Sequence, residues 1–80
     1  MHAPTVICSS QITFTLRQRE FVTLTVWNTL GQEVGVLVRG VMDPGPHTVS
    51  FDGFRFSSGV YYCRLAGKHA VITRAVVLAR

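Results

Sequence analysis

The side chains that could perform acid–base chemistry in this chain are few and far apart. Its side-chain carboxylates are Glu20, Glu33, Asp43 and Asp52. Paired acid–base catalysis needs two carboxyl groups held in different environments across a cleft. Each of these acids instead stands in or beside a predicted turn without an acidic neighbour. We therefore expect no paired-carboxylate active site, and we interpret Asp43 and Asp52 as turn residues.

Metal binding or nucleophilic catalysis would depend on the histidines and cysteines. These are His2, His47, His69, Cys8 and Cys63. No Cys-x-x-Cys or His-x-x-x-His pair brings two ligands together, so the sequence predicts no metal site. Cys63 lies inside a predicted strand, where a base and solvent are both remote, so it is interpreted as a small buried apolar residue. We expect no catalytic residue and no cofactor, and hence no enzymatic activity.

Composition and charge exclude several of the remaining classes of protein. The chain has 80 residues, which suits one domain, and its 48% hydrophobic and 15% charged content exclude a disordered tail. The net charge is +4, but the basic residues are spaced singly and form no run, so we expect no nucleic-acid partner. No apolar stretch approaches the roughly 20 residues of a membrane helix, and the N-terminus lacks a signal-peptide core. We expect no membrane insertion, and we expect the chain to be a fragment of a longer protein.

Alternation of polar and apolar residues predicts an all-β chain. Strand patterns occur in "QITFTL", "FVTLTVW", residues 34–38, "HTVSF", residues 60–65 and "AVITRAVVLAR". The stretches "MDPGPH" and "DGFRFSSG" are rich in breakers and predict longer connections. Six or seven short strands in this length indicate an immunoglobulin-like antiparallel β-sandwich. We assign residues 10–80 to this domain and residues 1–9 to a linker or an expression-derived leading segment.

The segment from Val60 to Leu65 carries the most informative spacing. One of its faces holds Tyr61, Cys63 and Leu65. A tyrosine two residues before a cysteine is also found in immunoglobulin domains, but Cys8 and Trp27 do not stand at the spacings of an immunoglobulin disulfide core. The hairpin after Ala66 leaves the register open. A two-residue loop places Ile72 and Arg74 beside Cys63, whereas a three-residue loop with a bulge places Val71 and Thr73 there.

The order of motifs carries a resemblance to a known family. Five blocks together resemble the type A C-terminal sorting domain of the type IX secretion system; they are "SSQITFTL", "VTLTVWNTLGQEVGVLV", "GPHTVSFDG", "SSGVYYCRLAG" and "ITRAVVLAR". That sorting domain is similar to the immunoglobulin-like domains of flagellar hook-capping proteins. The match covers nearly the whole chain. The motif and recognition candidates that it marks are Gly31, Gly45, His47, Gly59, Tyr61, Arg64, Gly67, Thr73, Arg74 and Arg80.

Three positions depart from the family pattern. The usual asparagine-proline-phenylalanine start is replaced by "HAPTVICSS", which keeps only Pro4. Ala75 stands where a lysine is expected, and Cys63 stands where an aromatic residue is expected. If that lysine contacts the secretion machinery, recognition of this chain would be altered at Ala75.

The resemblance implies a non-catalytic address. It implies a folded tag that carries an N-terminal cargo domain across the outer membrane, with the outer-membrane translocon and a sortase-like protease as partners. The expected location is the periplasm in transit, and then the cell surface or the extracellular medium. Under a purely structural interpretation, Gly31, Gly59 and Gly67 serve turns while Tyr61 and Leu65 fill the core.

Two alternatives stay open. One is an immunoglobulin-like spacer or binding module of the hook-capping or carbohydrate-associated kind, since one sandwich supports many roles. Carbohydrate binding would need exposed aromatic residues on one face, for which Trp27 and Tyr62 are the candidates. The other is a weak homodimer through an uncapped edge strand, which is compatible with either function.

Overall fold

Alternating β-branched and aromatic residues form strands almost throughout the described chain. A computed structural model describes residues 6–8, 11–50, 56–68 and 70–78. Its strands are β1 (Val6–Cys8), β2 (Gln11–Leu16), β3 (Glu20–Trp27), β4 (Glu33–Met42), β5 (Gly45–Ser50), β6 (Gly59–Ala66) and β7 (Val71–Leu78). No stretch within these ranges forms a helix that is long and apolar enough to cross a membrane. The predicted all-β class is confirmed.

The strands form two antiparallel sheets that pack as a sandwich. The smaller sheet has the order β1-β2-β5 and the larger has the order β4-β3-β6-β7. The inward side chains of both sheets form one core, whose members are Ile12, Phe14, Leu16, Val22, Leu24, Val26, Phe56, Tyr61, Cys63, Leu65 and Val76. The immunoglobulin-like sandwich expected from the sequence is therefore present. Strand β1 lies within the leading segment 1–9 and pairs with β2.

The connection between β4 and β5 is shorter than the sequence predicted. A loop was expected across "MDPGPH", but only Asp43 and Pro44 lie between the two strands. Because β5 pairs only with β2 in its sheet, Pro46 can lie in it without removing a hydrogen bond from a central strand. Gly45 adopts a φ of 110°, which a side chain would strain. Phe51, predicted on the same face as Val49, lies outside the described residues.

The hairpin between β6 and β7 resolves the open register. Cys63 lies opposite Arg74 and Leu65 lies opposite Ile72, as the first of the two alternatives required. The loop has four residues rather than the two that were considered. Because both numbers are even, the same residues of β7 face the core side in either case. The Gly67 N–H donates a 2.9 Å hydrogen bond to the Ala70 carbonyl and closes the loop.

Candidate binding surface

The glycines that the resemblance marks lie at separate turns or strand starts. In the β3–β4 turn, Gly31 has a φ of 78° and its N–H donates a 3.1 Å hydrogen bond to the Asn28 carbonyl. The Asn28 side-chain oxygen accepts from the Leu30 and Gln32 N–H groups at 2.9 and 3.0 Å. Gly59 begins β6 at the same end of the sheet. Gly31 and Gly59 thus have roles in backbone conformation, and they do not line a common pocket.

Gly67 lies at the opposite end of the sheet, beside the carboxylate of Glu20. A Cβ atom at Gly67 would collide with Oε1 of Glu20. That same oxygen accepts a 2.9 Å hydrogen bond from the Lys68 N–H and ties the β6–β7 loop to the start of β3. The absence of a side chain at Gly67 therefore permits this close approach between loop and carboxylate.

Tyr61 and His47 each form a hydrogen bond between a strand and the connection that precedes that strand. The Tyr61 hydroxyl donates a 2.7 Å hydrogen bond to the Ser57 carbonyl, and its ring packs edge-on against Phe56 with 5.6 Å between centroids. A tyrosine two residues before a core cysteine that bonds upstream backbone is the tyrosine corner of immunoglobulin-type sandwiches. His47 Nε2 donates to the Asp43 carbonyl at 2.7 Å and its ring stacks on Phe14. Both residues therefore stabilise the connection before their own strand.

The remaining candidates separate onto two sides of the larger sheet. Arg64 and Thr73 lie opposite each other and point away from the core. Arg74 is on the core side of β7, yet it remains exposed because β7 is an edge strand. Its guanidinium donates to the carbonyl of its neighbour Thr73 at 3.1 Å. Arg80 lies outside the described residues.

The side of the larger sheet that faces away from the core is unusually apolar, and we call it the outer face. Of the nine large apolar side chains that are exposed in the described residues, eight lie on it; these are Phe21, Val34, Val36, Val41, Val60, Tyr62, Val71 and Val77. The ninth, Leu30, is in the β3–β4 turn. The charged residues that the strands place on the outer face are Glu33, Arg39 and Arg64. An antiparallel sheet whose second side meets water normally has polar residues there.

Trp27 is held against the outer face by a short chain of hydrogen bonds. Its Nε1–H donates a 2.9 Å hydrogen bond to the Thr25 hydroxyl, which donates at 3.4 Å to the Arg64 carbonyl. Thr25 points outward from β3 yet is only 6% exposed. Alternation along "FVTLTVW" assigned Thr25 to solvent, and sequence reasoning missed its role because the contact depends on how the indole ring folds back over the strand.

A shallow open depression crosses the outer face. Its volume is about 430 Å³, and it extends from the β3–β4 turn over β6 to the start of β7. Its lining on the strands consists of Trp27, Tyr62, Arg64, Val71 and Thr73. Trp27 and Tyr62 lie directly opposite each other in the β3–β6 register. The two aromatic candidates are therefore on one side of the sheet, as a binding surface requires.

The ionisable groups of the described residues are dispersed. Within those ranges no three His, Cys, Asp or Glu side chains lie together, and the ion pair found there joins Arg19 and Asp43 at 3.9 Å on the exposed surface. Such a pair contributes little to stability. Neither Arg39 nor Arg64 forms an ion pair with any carboxylate in the described part of the chain. Both guanidinium groups are therefore available to an external anion.

Fold and surface together define an immunoglobulin-like β-sandwich domain. No protein-family model matches this chain, and no curated protein matches its sequence.

Proposed function

We propose that this domain is a non-catalytic sorting signal of the type IX secretion system, which directs an N-terminal cargo across the outer membrane. The observation that carries the proposal is the order of the five motif blocks. They correspond in sequence to β2, the β3–β4 hairpin, β5, β6 and β7 of a single sandwich. The sandwich is compatible with such a role, since a machine that accepts many cargos must recognise a folded surface they share.

The exposed positions on β6 and β7 are the candidates for that recognition. Arg64 and Thr73 are exposed on the outer face, and Arg74 is exposed at the edge. Ala75, where the family pattern has a lysine, is also exposed and lies opposite Tyr62. The translocon and the sortase-like protease would meet these side chains in the periplasm and at the cell surface.

A secretion assay tests the proposal. The whole chain is fused behind a signal peptide and a fluorescent cargo, and is expressed in hosts with and without an active type IX system. We expect cargo at the cell surface only in the host with the active system. Removal of 73–80 would delete most of β7 and unfold the sheet, so the informative variants are Arg64→Ala and Arg74→Ala, with folding checked by circular dichroism.

Two further variants sharpen the assay. Leu24→Asp places a charge in the core and serves as the unfolded control. Ala75→Lys restores the residue that the family pattern expects, and we expect export to rise if that lysine contacts the machinery. Cargo that stays in the periplasm of both hosts, while the domain is folded, would refute the sorting function.

A second candidate is an immunoglobulin-like binding module within a larger protein. The observation that favours it is the pairing of Trp27 with Tyr62 on an exposed apolar sheet face. The two functions differ in the secretion assay, because a binding module gives no export that depends on the type IX system. Retention of a folded domain in the periplasm would leave this candidate in place of the sorting signal.

A further inference from the structure

The larger sheet carries apolar side chains on both of its sides. Its inner side fills the core, and its outer face carries eight exposed large apolar side chains. Exposed apolar side chains on the second side are unusual for an antiparallel sheet, which normally has polar residues there. Extended exposed apolar patches on soluble domains mark interaction sites. The outer face thus has the composition of an interface.

Two polar groups beside the depression, those of Trp27 and Asn28, are engaged within the chain. The Trp27 N–H is bound by Thr25, whose hydroxyl donates to a backbone carbonyl. The Asn28 amide nitrogen donates to Gln32 at 2.9 Å and its oxygen accepts two backbone N–H groups. The guanidinium of Arg64 remains as the charged group that lines the depression.

We propose that the outer face is a docking site for an acidic amphipathic helix of a partner protein. The apolar stripe of the helix would pack along the depression against Tyr62 and Val71, and a carboxylate beside that stripe would reach Arg64. Helices commonly form the layer that covers a sheet. Four strands span roughly 14 Å between the outermost axes, and a helix is about 10 Å wide. This inference holds whether or not the domain is a sorting signal.

Charge favours an acidic partner over a second copy of this chain. The outer face carries Arg39 and Arg64 against the single acid Glu33, which leaves it net positive, and the whole chain has a net charge of +4. Two copies placed face to face would therefore bring like charge together, which opposes association. A helix with carboxylates on its flanks meets the same face with opposite charge.

The test uses three synthetic helical peptides with one leucine stripe. The stripe is flanked by glutamate in the first, by glutamine in the second and by lysine in the third. Trp27 is the single tryptophan of the chain and lines the depression, so its fluorescence reports binding at this place. We expect the affinity order glutamate, glutamine, lysine. We expect added salt to reduce the differences among the three affinities, because it screens both the attraction of the glutamate peptide and the repulsion of the lysine peptide.

Variants separate this contact from general apolar adsorption. Arg64→Gln should weaken the glutamate peptide about two- to fivefold and leave the glutamine peptide unchanged, since exposed ion pairs contribute modestly. Val71→Thr should weaken all peptides because it makes the depression more polar. Arg17→Gln removes the same charge from the exposed β2–β3 turn and is the matched control, for which we expect no change.

Three results would overturn the proposal. The first is no change in Trp27 fluorescence with any peptide at millimolar concentration. The second is equal affinity for the glutamate and lysine peptides. The third is self-association of the protein alone that is abolished by Val71→Thr, which would assign the outer face to a second copy.

Discussion

Short-range hydrogen bonds from single side chains hold three connections of this protein. Asn28 binds backbone N–H groups two and four residues ahead, whereas His47 and Tyr61 each donate to the carbonyl four residues behind. Each bond satisfies a backbone group in a connection where no neighbouring strand can do so. These residues therefore fix how one strand leads into the next.

Removal of the Tyr61 hydroxyl should cost stability without changing the fold. Tyr61→Phe keeps the ring against Phe56 but leaves the Ser57 carbonyl without this 2.7 Å bond. We expect the free energy of unfolding to fall by about 1 kcal/mol in urea titrations. Tyr62→Phe, on the exposed side of the same strand, is the control and should change it by less than about 0.5 kcal/mol. Equal effects of the two substitutions would show that the Tyr61 bond is not stabilising.

The edges of the larger sheet carry features that oppose pairing with another chain. The edge strand β4 has register shifts opposite Leu24/Thr25 and Val26/Trp27, which bend it. The other edge strand, β7, directs Arg74 toward the core side of the sheet. An inward charge on an edge strand is a known defence against edge-to-edge association. These features oppose the weak homodimer through an edge strand that the sequence leaves open.

Replacement of the inward charge on β7 should therefore promote self-association. Arg74→Val makes the core side of this edge strand wholly apolar, and we expect light scattering to show larger species as concentration rises. Arg17→Val removes the same charge from an exposed turn and should stay monomeric under the same conditions. A monomeric Arg74→Val variant at the highest attainable concentration would show that Arg74 does not protect this edge.

The whole molecule depends on both sheets to cover one small core. The core joins Ile12, Phe14 and Leu16 of β2 with residues of β3, β6 and β7. Neither sheet by itself can therefore shield its inner side from water. A chain of 80 residues buries only about 60 to 65% of its unfolded surface, which makes its stability modest. Cooperative folding of the two sheets follows from this dependence.

Unfolding should accordingly occur in a single transition. Trp27 is bonded to Thr25 within the larger sheet, so its fluorescence follows that sheet, while circular dichroism follows the strands of both. We expect the two urea curves to superimpose with one midpoint. If the dichroism signal declines at lower urea than the fluorescence, the smaller sheet opens separately and the common-core account is wrong.

Much of the fold follows from local patterns in the sequence. The period of two in "QITFTL" and in "FVTLTVW" predicts the strands and the inward residues Phe14 and Leu24, because successive side chains in a strand face opposite sides. Breakers locate the turns, although Pro46 lies within β5, where only the edge position permits it. Among the candidate site residues, Gly31 has the turn role that its type suggests.

The sequence by itself determined the all-β class, the inward and outward sides of the clearest strands and the small number of acidic, histidine and cysteine side chains, because these depend on residue type and spacing. Tertiary structure alone decided the pairing of Cys63 with Arg74, the burial of Thr25 under Trp27 and the gathering of exposed apolar residues on the outer face. Those features depend on which strands become neighbours, and neighbours distant in sequence are chosen by packing of the whole core rather than by any local pattern.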